Sequence, residues 1–195
     1  MFARQVAVGM SPEETRETVG TWRDAVAGGA TLAVAWASAL TLFETRWHRS
    51  ALADLHKQPG GWAGVLVVVA LSAVVHEMLH AGSWRLLGRL PRKAIAVQPT
   101  WQAMGLAARV VLPVSMRVYR AGLAMPCFLM GVLPILVGTI TGNGLFLAWA
   151  LFFSLECFSD LGSLYATRHL PATMLVMSHP SKLGCRQVSS AHDLP

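Results

Sequence analysis

The chain has 195 residues, of which 54% are hydrophobic and only 13% charged. An average soluble domain carries about 25% charge, so the composition argues against a water-covered globule, a disordered chain and a coiled coil. The net charge of +6 invites a nucleic-acid reading, but the sixteen Lys and Arg residues sit between apolar runs with no basic stripe interleaved with aromatics. That distribution reflects membrane topology and anionic lipid.

Residues 1–26 read as a polar cytoplasmic segment without the features of a cleavable signal. Ser11-Pro12-Glu13-Glu14 has the form of a capped helix start, and Val19, Trp22 and Val26 recur at helical spacing, which predicts a short interfacial helix. A membrane-embedded domain over 27–186 follows, then a tail over 187–195. Its apolar runs predict four spans, at about Gly28–Phe43, Gly61–Trp84, Ala121–Thr141 and Gly144–Tyr165. The last two are joined by the uncharged turn Thr141-Gly142-Asn143-Gly144. Between the second and third, Ala94-Ile95-Ala96-Val97 and Arg109-Val110-Val111-Leu112 predict strands, with Pro99 and Pro113 as breakers. The fold class expected is thus an all-α polytopic membrane protein with one short β-like loop. With both termini in the cytoplasm, thirteen Lys and Arg lie inside and three outside, the better orientation by the positive-inside rule.

The three cysteines, Cys127, Cys157 and Cys185, form neither a disulfide framework nor a CxxC zinc knuckle. The acids are more informative. Between Asp54 and Asp193 there are only three, Glu77, Glu156 and Asp160, and each lies inside an apolar span. An ionisable group there costs several kcal/mol unless it is paired, hydrated or metal-bound.

Glu77 belongs to His76-Glu77-Met78-Leu79-His80, an HExxH. On a helix the two histidines share a face one turn apart, so both can reach one Zn²⁺ ion. Glu77 then stands beside a metal-activated water as general base. Two histidines on an apolar helix, satisfied by hydrogen bonds, are the bland alternative.

A third ligand should lie at the same depth. His76 and Asp160 follow Gly61 and Gly144 by nearly equal intervals on helices running in the same direction, so they arrive at one level near the cytoplasmic face. Glu156, one turn earlier, would sit about 6 Å further out. Depth favours Asp160, but Glu156 to Asp160 also fits the ExxxD that follows HExxH in many soluble zinc peptidases, with Glu156 then the ligand. A carboxylate at a helix end is the structural alternative for Asp160. His48 and His56 fall in the outer loop, His169 and His179 read as solvated loop residues, and His192 is in the tail.

With Leu123-Ala124-Met125-Pro126, Ser159-Asp160-Leu161 and the run from His179 to Cys185, this HExxH resembles a small bacterial family of zincin peptidases of unknown function. That family is related to the site-2 protease class of intramembrane zinc metalloproteases, and the resemblance covers about residues 60–186. It implies a catalytic core made of the second to fourth spans, a plasma-membrane location and a membrane-associated peptide substrate. Two departures stand out: the segment around Asp160 lacks the prolines usual in site-2 proteases, and the chain has no room for a PDZ-like insertion. One further expectation is that the strand-like loop captures an unwound substrate segment by β-addition near Val110. An inactive membrane adaptor and a divalent-metal transporter are the rival functions; the transporter is disfavoured because the ligands gather at one depth. Nucleic acid is not an expected partner, and the oligomeric state is not readable.

Overall fold

A computed structural model describes residues 16–53, 61–100 and 105–188. The capping sequence at Ser11 and residues His56 and His192 lie outside them. The elements in chain order are β1 (Glu17–Val19), α1 (Trp22–Trp47), α2 (Gly61–Gly88), β2 (Ile95–Thr100), β3 (Gly105–Val110), β4 (Val114–Ser115), α3 (Met116–Pro126), α4 (Leu133–Thr141), α5 (Gly144–Leu155), α6 (Phe158–Thr167), β5 (Leu175–Ser178) and β6 (Gly184–Gln187). A π-helical turn, Cys127–Val132, joins α3 to α4 without ending the helix.

Among the described residues, three helical stretches are long and apolar enough to cross a membrane: Trp22–Trp47, Ala63–Gly88 and Met116–Thr141. Their outer faces carry uncovered apolar side chains, among them Leu66, Val67, Leu71 and Ile140. Such contiguous apolar surface belongs in lipid, so the chain is a membrane protein. The fourth apolar run is not one straight helix. It is α5 and α6, bent by 55° at Glu156 and Cys157, where neither Gly nor Pro announces a break.

The helices outrun the apolar runs because charge ends a hydrophobic stretch without ending a helix. α1 starts six residues before Gly28, in a capping box in which Thr21 and Asp24 bond each other's backbone amides. α3 starts at Met116 because the Ser115 side chain accepts from the Val118 amide. Val19 lies not in an interfacial helix but in a strand, while Trp22 and Val26 belong to the exposed first turns of α1.

The fold is not all-α. β1, β6, β5 and β4 form an antiparallel sheet in that order, with Glu17 opposite Arg186 and Ser178 opposite Cys185. The segments before α1 and after α6 therefore meet in one sheet. It covers one end of the helices over a core that includes Trp84, Val110, Met116, Tyr119, Val176 and Cys185. At the far end Phe43 packs with Leu147 and Leu151, and the Trp47 indole donates to the Thr139 carbonyl at 2.9 Å.

β2 and β3 form a hairpin whose strands are shifted from the predicted positions. Pro99 lies within β2, opposite Leu106, and Val111 and Leu112 fall beyond β3. Val111 donates to the Ala94 carbonyl, whereas the amides of Ala108 and Val110 are taken by Glu77 and by the Ser178 hydroxyl. Antiparallel strands alternate the direction of their amides. Odd positions of β3 thus face β2, and Leu106, Ala108 and Val110 present their amides on the opposite edge.

His179 is not a solvated loop residue. It is buried, its Nδ1 accepts from the amides of Ser181 and Lys182 at 3.1 and 2.8 Å, and its Nε2 lies 3.3 Å from Glu17. Burial lowers its pKa against an upward pull from Glu17. Burial pushes Glu17 upward, but hydrogen bonds and charge from His179 and Arg186 outweigh it and leave that pKa lowered. A folded pKa below the unfolded one gives stability that is present above the unfolded value and lost as pH falls through the folded one. Both groups have this sign. Lowering the pH below the ordinary imidazole value of about 6.5 should therefore loosen the β1–β6 pairing first. Hydrogen exchange, corrected for its intrinsic pH dependence, should show Cys185 and Arg186 losing protection while α2 keeps it; pH-independent protection at these strands would contradict the linkage.

Candidate metal centre

The site is built where α2, α3 and α6 meet near the sheet-covered end. α6 is drawn in by small residues. A Cβ on Gly28 of α1 would lie only 3.1 Å from the Gly162 amide and from the Leu161 Cβ, so the two helices cross almost backbone to backbone there. This seats Asp160, buried in the first turn of α6.

α3 is held to α2 by another glycine. A Cβ on Gly122 would fall 2.1 Å from the Trp84 indole nitrogen, so only glycine admits that ring. Trp84 stacks between His80 and Tyr119, with ring centroids 5.2 and 6.0 Å away, and donates to the Tyr119 carbonyl at 3.1 Å. The close approach brings the Gly122 carbonyl within 2.9 Å of His80 Nδ1. A carbonyl only accepts, so Nδ1 carries the proton and, in the neutral ring, Nε2 keeps its lone pair.

Three donor atoms converge there. His76 Nε2 lies 2.9 Å from Asp160 Oδ2, His80 Nε2 lies 3.2 Å from the same oxygen, and the two Nε2 atoms are 3.1 Å apart. Four ligands about 2.0–2.1 Å from a tetrahedral zinc ion lie roughly 3.3 Å from one another, close to this triangle. Lone pairs on two imidazoles and a carboxylate, all buried, repel unless a metal ion or a shared proton lies among them. The residues fit zinc.

The bend after α5 decides the place of Glu156. Its Oε1 accepts from the Ser72 hydroxyl at 2.6 Å, and its Oε2 lies 3.6 Å from His76 Nδ1, on the far side of the ring from the donor triangle. Neither of those two atoms has a hydrogen-bond partner among the described residues. The group whose ligating atoms converge with the two imidazoles is that of Asp160. Ser72 lies one turn before His76 on α2, so Glu156 sits a turn away from the donor triangle.

Glu77 is not part of the triangle; its Oε2 accepts from the Ala108 amide of β3. Together with His76, Leu106 and Glu156 it lines a cavity of about 240 Å³ that opens beside the α5–α6 bend. Sequence reasoning missed Gly122, Ser72 and Ala108, all of which act through backbone or hydroxyl groups. His48, His169 and His179 are not among the residues that converge on the triangle.

A family profile described as putative zincin peptidase matches residues 69–175. That stretch contains HExxH, Gly122, Glu156 and Asp160. No curated protein and no solved structure matches the chain.

Proposed function

The chain belongs to the zincin peptidase family, and from that membership we propose that it is a membrane-embedded zinc metalloprotease acting on membrane-associated peptides. The observation that carries the proposal is the donor triangle of His76, His80 and Asp160, with the Glu of HExxH on the same helix. Bound there, zinc supplies a Lewis acid and a water acidified towards neutrality. His80 is oriented by the Gly122 carbonyl. Glu156 orients His76, because the carboxylate needs to close only from 3.6 Å to hydrogen-bond an Nδ1–H.

Glu77 is the base that takes a proton at its carboxylate and returns it to the leaving amine. The Ala108 amide holds that carboxylate before substrate arrives. A substrate strand added to the outer edge of β3 would offer a carbonyl to Ala108 and free Glu77 for the proton. β-Addition also answers a physical need, since a helical substrate keeps its amides bonded internally and must be held extended to be cut. Val110 does not test this edge, because its amide is already tied to Ser178. Ala108→Pro does, since it removes an outward amide and no bond to β2. Cleavage should fall with zinc content unchanged; undiminished turnover would sink the β-addition.

The pairing of β1 with β6 supports four spans. Strands in one sheet lie on one side of a membrane, so an even number of crossings separates them. Three long helices then need a fourth crossing, which α5 and α6 supply together. The Lys and Arg distribution supports a cytoplasmic sheet and termini, with the site near that face. The direct test of the function is metal dependence in proteoliposomes. Chelation should abolish cleavage of a transmembrane peptide and one equivalent of Zn²⁺ should restore it; cleavage that survives chelation would overturn the reading.

A further inference from the structure

The peptidase chemistry leaves two thiols unused, and they lie beside Asp160. Cys127 opens the π-helical turn in the third span and Cys157 sits at the α5–α6 bend. Both lie where a regular helix is interrupted, a place where functional groups are often found. Cys157 is fully buried and Cys127 half-buried, and both are free. Their sulfur atoms and an Asp160 carboxylate oxygen all lie within 4.8 Å of one another. Cys157 and Asp160 are one turn apart and share a face of the chain. Asp160 is therefore common to two donor sets, one with two imidazoles and one with two thiols.

We propose that Cys127, Cys157 and Asp160 form a second cation site, selective for soft ions such as Cd²⁺ or excess Zn²⁺, which competes with the His76 and His80 site for their shared carboxylate. Two thiolates at about 2.3 Å from a zinc ion lie about 4 Å apart, so the observed spacing needs only a small inward movement. Thiolates favour soft d¹⁰ ions over magnesium or calcium. Each thiol loses its proton to solvent as the ion binds, and no electrons are transferred. An ion held by the thiols draws Asp160 away from the imidazoles and weakens zinc there. This consequence rests on the metalloprotease reading; the existence of the thiol site does not.

The test uses the full chain in detergent under reducing conditions, loaded with one equivalent of zinc and titrated with Cd²⁺. The ultraviolet thiolate-to-cadmium band should saturate at one added equivalent in wild type, in Cys185→Ser and in the His76→Ala/His80→Ala variant. It should vanish in Cys127→Ser/Cys157→Ser and drop by about half in Cys127→Ser alone, which tests the site if the double variant fails to fold. No band in wild type, or a band retained by the double variant, would overturn the site. Cadmium should also accelerate zinc release to a chelator in wild type by about 10-fold or more, the size of effect expected when a ligand's support is lost. Equal release from wild type and Cys127→Ser would overturn the sharing of Asp160. Intact band and release effects in a protein that cleaves nothing would overturn the peptidase and leave the second site standing.

Discussion

Glu77→Gln should leave the zinc content of the purified protein unchanged and lower peptide-bond cleavage by about 10²- to 10⁴-fold, the usual contribution of a general base. The amide is close in size to the carboxylate and still accepts from Ala108, so the fold and the donor triangle should survive. What it cannot do is take a proton. An adaptor that uses this fold only to bind partners would behave as wild type in a partner-binding assay and would show no cleavage to lose. Metal analysis beside turnover of one transmembrane peptide separates the two. Cleavage within a factor of two of wild type would remove Glu77 from the chemistry.

Asp160→Ala and Glu156→Gln should differ sharply in metal affinity. Asp160 supplies an oxygen to the donor triangle, and its loss leaves two imidazoles that cannot hold zinc tightly alone. Glu156 reaches only the far nitrogen of His76. Replacing it should weaken zinc by about 10- to 100-fold, as for partners that orient a metal-bound histidine. Competition titration against a zinc chelator measures both. If Glu156→Gln loses zinc while Asp160→Ala keeps it, the ligand order is reversed. This arrangement would invert the usual sense of ExxxD, with the acid at the first position orienting and the one at the last ligating.

The site was more legible in the sequence than the architecture around it. Buried charge is costly, so three acids in apolar runs mark themselves, and HExxH fixes two imidazoles on one helix face by helical arithmetic alone. Equal helical depth favours Asp160, one of whose oxygens lies 2.9 and 3.2 Å from the two imidazole Nε2 atoms. The bend at Glu156 and Cys157 was invisible because tertiary packing sets it, with no helix-breaking residue to signal it. The four-stranded sheet was missed for a related reason: its strands are only two to four residues long. Segments that short carry no readable alternation, and β1 has its partner at the other end of the chain. In the sequence Gly122 is one small residue of an apolar run, and its role depends on the Trp84 ring from another helix.

Glu17 and Arg186, ion-paired across β1 and β6, are 169 positions apart. A contact of that range closes last during synthesis, since its cost in chain entropy must be met before any gain. The HExxH helix is therefore made long before α6 delivers Asp160, and longer still before β6 clasps β1. Before α6 is made, a ribosome-bound chain carries the two imidazoles of the donor triangle without its carboxylate. A peptidase of the kind proposed, inserted beside other newly made membrane proteins, would thus lack its full donor set until α6 has been translated.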